Sequence, residues 1–227
     1  MKQRTEIFCT DKLKCMINFI PIFPLALVVY PGEELNLHIF EPRYKELITE
    51  CFAEAKPFGI PTVMSDTVGE TGTMVEITEI VQVYEDGRMD IKTRGIRVFQ
   101  VLELIESIPD KLSSGAIVSY PNNDASTKPF ISFKILDSVY ILHRLLNVTK
   151  NFNKKVADIL SYDMAHHAGL SLKEEYELLC LFKEEQRLEY LRRHLEKVIP
   201  VITGMEQLKE KIIINGSFKK IKGFNLN

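Results

Sequence analysis

The chain holds one pair of adjacent histidines, His166-His167, and acid pairs at Glu33-Glu34, Glu174-Glu175 and Glu184-Glu185. Such groups can ligate a metal or exchange protons only if they converge. Adjacent helical residues diverge by about 100°, so His166 and His167 do not share a face, and each acid pair reads as a solvated surface interleaved with Lys and Arg. No HExxH motif and no Cys/His ligand set accompanies the histidines. His38, His143 and His194 stand singly, the first on the polar side of a strand and the others in helices. The cluster Gly69-Glu70-Thr71-Gly72 lacks the lysine that a phosphate-binding loop requires, and there is no GxSxG elbow. The expectation is therefore no catalytic residue, no metal site and no cofactor.

Composition narrows the partner classes. A length of 227 residues suits one large or two small domains with a real core. A hydrophobic content of 45% with 26% charged residues is that of a soluble globular protein. A formal charge of −2 and a pI near 6.2 give no global attraction to nucleic acid or anionic lipid. Cys9, Cys15, Cys51 and Cys180 are scattered without a CxxC pair, which reads as free thiols in a reducing compartment, the cytoplasm. The longest apolar run, Phe19–Tyr30, is too short and too rich in proline to span a bilayer. Residues 1–18 read as a charged leader with no part in the fold.

The elements that must position these residues begin with Phe19–Ile48. Pro21, Pro24 and Pro31 remove backbone donors, so Phe19–Tyr30 is expected to be extended and bent. Leu35, Leu37 and Ile39 alternate with polar residues as in a half-buried strand. Pro42 then suits the first helical position, and Tyr44, Leu47, Ile48, Cys51 and Phe52 fall on one face of the helix it starts. Lys56–Met64 reads as a strand made an edge or bent by Pro61, and Ser65–Gly72 as a polar loop. Thr73–Glu85 and Arg88–Thr93 flank an Asp86-Gly87 hairpin turn, and Gly95–Ile108 and Gly115–Tyr120 supply two further strands. Hairpin spacing of about six strands favours a small antiparallel barrel.

Beyond the turn-forming linker Pro121–Pro129 the periodicity is helical. One helix carries Ile131, Ile135, Val139, Leu142, Leu145 and Leu146, and a second carries Val156, Ile159, Leu160 and Met164 before Gly169. Ser171 and Glu174 form a capping box opening a third. A fourth runs through Leu188, Leu191, Leu195 and Val198 to Pro200, which should end or kink it. Met205–Ile214 adds a last helix closed by Asn215-Gly216.

The string FPL…VVYPG…L.LHIFEPRY, with RGIRVFQVLELIE and the segment ADILSYDMAHHAGLSLKEEYELLCLFKEEQRLEYLRRHLE, resembles the N-terminal domain of Lon proteases, especially stand-alone bacterial Lon-N-like proteins. Cereblon carries a related domain. The resemblance covers roughly Phe19 to Ile199. It implies an α+β fold: an N-terminal PUA-like antiparallel β-pseudobarrel with one helix over 19–121, then a C-terminal helical bundle over 122–214, and a basic tail over 215–227. It also implies recognition of unfolded or partner polypeptides, in company with a protease, without ATPase or protease machinery in this chain. Glu41, Arg43 and Lys45 around the first helix are the candidate protein-binding residues; from the residues alone, a helix cap with an internal Glu–Arg pair is the plainer reading. PUA-like barrels elsewhere bind RNA, the alternative function, which the acidic pI disfavours, and the tail lysines read as a solvated terminus.

Overall fold

The computed structural model describes residues 18–124, 129–152 and 154–222 of the protein. Nearly all of the expected leader, Cys9, Cys15 and the last tail residues lie outside them. In chain order the elements are β1 (Asn18–Pro21), β2 (Glu34–Ile39), α1 (Pro42–Ala53), β3 (Phe58–Met64), β4 (Thr67–Val83), β5 (Met89–Ile105), β6 (Gly115–Ser119), α2 (Pro129–Leu145), a 3-10 turn at Val156–Asp158, α3 (Ser161–Ala165), α4 (Leu172–Leu179) and α5 (Glu184–Lys222). The fold is α+β, as expected.

All strand ladders are antiparallel, in the order β1-β6-β5-β4-β3, with β2 laid against β5. The ladder does not close. Its two ends instead meet through isolated parallel bridges, Ile22 to Gly59 and Leu25 to Thr62, made by the bent stretch that follows β1. There Phe23 N donates to the Gly59 carbonyl at 2.8 Å and Leu25 N to that of Pro61 at 3.2 Å, so Pro21 and Pro24 fall where no donor is required.

Three sequence expectations in the barrel change. Ser65–Gly72 is not a loop: only Ser65 and Asp66 turn, both with positive φ (47° and 64°), and β4 begins at Thr67. Gly69 and Gly72 are strand residues where other groups come close; a Cβ on Gly72 would lie 2.6 Å from the Ile60 carbonyl oxygen. The two strands expected on either side of Arg94 are one, β5, because Gly95 permits the Tyr30 carbonyl to lie against the strand without interrupting it. Phe52, expected in the core, is 48% exposed at the end of α1, whereas Tyr44, Leu47, Ile48 and Cys51 are buried against Phe23, Phe58 and Ile91. Burial pushes the Cys51 thiol up to about 11.

The helices build a second core from Ile135, Val139, Leu142, Leu178, Leu188, Leu191 and Leu195, which continues into the barrel through Val28, Tyr30 and Val98. The expected second helix is a 3-10 turn and the five-residue α3, since Ile159 and Leu160 are extended and the Leu160 amide is caught by the Asp163 carboxylate at 2.9 Å. Pro200 neither ends nor interrupts α5, and Asn215-Gly216 does not close it; the helix runs 39 residues. Val198, Ile199 and Ile202 pack on the bundle across Pro200, and the Thr203 hydroxyl donates to the Ile199 carbonyl at 2.8 Å in the turn that spans the proline.

Candidate functional site

Beyond Val75, β4 loses β3 as a neighbour, and β2 and the far halves of β5 and β4 form a three-stranded ribbon. Its inner face, Leu35, Leu37, Ile39, Met89, Ile91 and Ile80, packs on α1. Its two edges differ. The β4 edge is broken by register shifts between Ile77 and Glu79 and between Ile80 and Gln82, the kind of bulge that discourages pairing. β2 pairs with β5 without any shift from Glu34 to Ile39, and among the described residues no strand occupies its other side.

β2 is followed directly by Phe40, which is 61% exposed and stacks on His38. His38 Nδ1 lies 2.6 Å from Asp90 Oδ1, and the Tyr84 hydroxyl donates to Asp90 Oδ2 at 2.6 Å. These two bonds hold the Asp90 carboxyl below the usual range, Tyr84 contributing more. The imidazole is thereby fixed through one nitrogen, with Nε2 facing no described partner. A His–Asp pair of this kind can activate a nucleophile; the hydroxyl bonded to this pair, that of Tyr84, is on Asp90 and not on His38, and what the pair does here is orient the imidazole. Asn36, His38, Lys92 and the bulged Val81 line a depression of about 340 Å³ on the outer face of the ribbon.

The three residues singled out in the sequence lie beside this edge. Glu41 and Arg43 pair at 2.7 Å, as the plainer reading had it, although the Glu41 carboxylate caps no helix amide, and Arg43 also covers the Tyr44 ring. Lys45 Nζ donates to the Asp86 carbonyl at 2.9 Å, fastening α1 to the β4–β5 turn.

The histidines and acids read as unconnected do meet elsewhere. A cleft of about 270 Å³ between barrel and bundle is lined by Tyr30, Glu33, Phe152, Tyr162 and His166. His166 Nδ1 is 2.7 Å from Glu175 and its Nε2 3.1 Å from Glu33, over the Tyr30 ring. Burial opposes its charge, yet the hydrogen bonds and charges of the two carboxylates outweigh that and lift it to about 9. His167 turns the other way, against His143 and Phe152, and burial lowers it to about 4. Glu184, expected in solvent, is fully buried with Arg187; they pair at 2.8 Å, and Ser161 bonds to both. Arg187 also reaches Asn123 at 2.7 Å, which fixes the start of the expected linker. His166 ties the two halves together and the Glu184–Arg187 pair ties the bundle to the linker, whereas His143 Nδ1 and His167 Nδ1 are buried without a described hydrogen-bond partner. Among the described residues no group of three or more His, Cys, Asp or Glu is placed to hold a metal, and no helix is long and apolar enough to cross a membrane.

Residues 20–197 match the model of the ATP-dependent protease La (LON) substrate-binding domain. The chain belongs to that family. Among solved structures, a Lon N-terminal domain protein from Xanthomonas campestris is 26% identical, with a TM-score of 0.58 over 78% of this chain and 98% of its own. The N-terminal domain of a Mycobacterium avium complex Lon protease, at 15% identity, shares the fold with a TM-score of 0.56 over 80% of this chain and all of its own. The Lon substrate-binding match takes in the whole ribbon, the cleft and the first turns of α5. No catalytic domain is matched in this chain.

Proposed function

We propose that this protein binds extended polypeptide by adding it as a strand to the open side of β2, and that it acts by holding chains rather than by breaking bonds. The observation that carries the reading is the unshifted β2 edge, with no described strand on its open side, followed by an exposed Phe40. Backbone amides and carbonyls along such an edge supply affinity for any sequence, and pockets on alternate side chains supply preference. Asn36, His38 and Val81 form the surface that receives one set of side chains, Phe40 offers an aromatic contact at the end of the strand, and Glu41, Arg43 and Lys45 make the polar rim. Membership of a family described as substrate-binding in a protease supports polypeptide as the ligand class. Its site of action is the cytoplasm, in keeping with the thiols of Cys51 and Cys180.

RNA is the weaker reading because three cations at this end of the barrel are neutralised locally: Arg43 by Glu41, Arg88 by Asp86 and Lys92 by Glu79. Fluorescence anisotropy with a permanently unfolded chain, such as reduced and carboxymethylated lactalbumin, tests the proposal. Saturable binding should weaken about tenfold in Phe40→Asp. Absence of saturable binding, or a shift of mixed-sequence RNA at low salt, would remove it.

A further inference from the structure

α5 leaves the bundle near Ile202. Up to there its inward face, Leu188, Leu191, Leu195, Val198 and Ile202, packs on the core. From Val201 onward it presents a new face: Val201, Met205, Leu208 and Ile212 are 62%, 64%, 59% and 63% exposed. Their spacing, i, i+4, i+7 and i+11, confines them to a stripe about 60° wide, narrower than the roughly 100° face of a helix lying on a broad apolar surface. It is the seam of a helix pair, in which alternating steps of three and four keep one row facing one partner. Ile213 and Ile214 fall outside it.

We propose that this seam docks an α-helix of another protein whose flanks are acidic. Lys209 and Lys211 border the stripe on its two sides. Lys209 has only an exposed contact of 3.4 Å with Glu206, of the kind that contributes little, and Lys211 has no described carboxylate. In sequence the stretch from Lys209 to Lys222 holds five lysines, Lys209, Lys211, Lys219, Lys220 and Lys222, against Glu210. A second copy of the chain does not answer this charge. Packed antiparallel with Val201 against Ile212 and Met205 against Leu208, it sets Lys209 against Ile202 and Lys211 against Gly204; packed parallel, it offers them Gly204 and Gly216, and neither arrangement brings a carboxylate to them. Residues 1–17 are no better suited, since Lys2, Arg4, Lys12 and Lys14 outnumber Glu6 and Asp11. Carboxylates at the flanking positions of a foreign helix complete both the apolar seam and its borders. This surface is separate from the β2 edge and does not depend on the polypeptide-binding reading.

Two synthetic three-heptad peptides with identical Leu/Ile seams test it, one with Glu and one with Lys at every flanking position, titrated calorimetrically into the full chain. The Glu peptide should bind at least about tenfold more tightly than the Lys peptide, and the double variant K209E/K211E should invert that preference. Leu208→Asp should abolish binding while the thermal unfolding midpoint stays that of the parent. Equal binding of both peptides or binding of neither would overturn the proposal. So would a dimer of the chain, or adsorption to phosphatidylserine vesicles, that Leu208→Asp abolishes.

Discussion

The junction of barrel and bundle and the tip of the β2–β5–β4 ribbon use the same residue types to opposite ends. At the junction, His166 has both ring nitrogens engaged by carboxylates, one from each half of the molecule, and Arg187 is fully buried among Glu184, Ser161 and Asn123. At the tip, His38 is held through one nitrogen and keeps the other for a partner, beside a strand edge with no neighbour and an exposed ring. The difference teaches where to look for binding. Saturated polar groups hold a structure together, whereas groups fixed in place but only half satisfied are available to a ligand.

The contrast can be broken most forcefully at Arg187. Its replacement by Ala leaves Glu184 as an unpaired charge in a dry site and should cost about 3–5 kcal/mol in urea unfolding, whereas the double replacement Glu184→Leu/Arg187→Met should recover much of it. A loss under about 1 kcal/mol for Arg187→Ala would mean the pair is not dry. Gly95→Ala comes next, because its Cβ would press on the Tyr30 carbonyl oxygen and force the barrel entry away from β5; about 1–3 kcal/mol of destabilisation by the same measurement is expected.

A smaller effect distinguishes the histidines by pH. The folded state raises His166 from 6.5 to about 9, so its contribution is complete below pH 6.5 and is lost as pH rises through 9. The difference in melting temperature between the parent and His166→Gln should therefore shrink between those values. His167 is lowered to about 4, so its contribution is present above 6.5 and disappears as pH falls through 4. Smallest of all, His38→Ala should change stability by no more than about 0.5 kcal/mol, while weakening capture of the unfolded lactalbumin chain.

What the sequence showed and what it hid follow the range of the interactions. α1 was legible from Pro42 and the spacing of Tyr44, Leu47, Ile48 and Cys51; the β4–β5 turn from Asp86-Gly87; the α4 cap from Ser171 and Glu174, whose carboxylate accepts from the Ser171 amide at 2.8 Å. These are local arrangements. Gly69 and Gly72 looked like loop formers because the groups pressing on them, Tyr176 and Ile60, come from other elements. Pro200 looked like a helix end because the packing of Ile199 and Ile202 that carries α5 through it is tertiary. Glu33 and His166 lie 133 positions apart, and nothing local links them. One signal was present and passed over: Glu184 and Arg187 are spaced i, i+3, which places them together on a helix, although only the fold shows that the pair is buried. At the candidate site, Glu41, Arg43 and Lys45 lie at the same end of the barrel as the open edge of β2, which followed only from the strand order.

Hydrogen exchange on the protein saturated with unfolded lactalbumin puts the two regions in one experiment. The account predicts new protection along residues 34–40, with the amides of α3 and α4 around His166 and Glu175 unchanged. Protection centred on the junction cleft, with residues 34–40 exchanging as in the free protein, would contradict it.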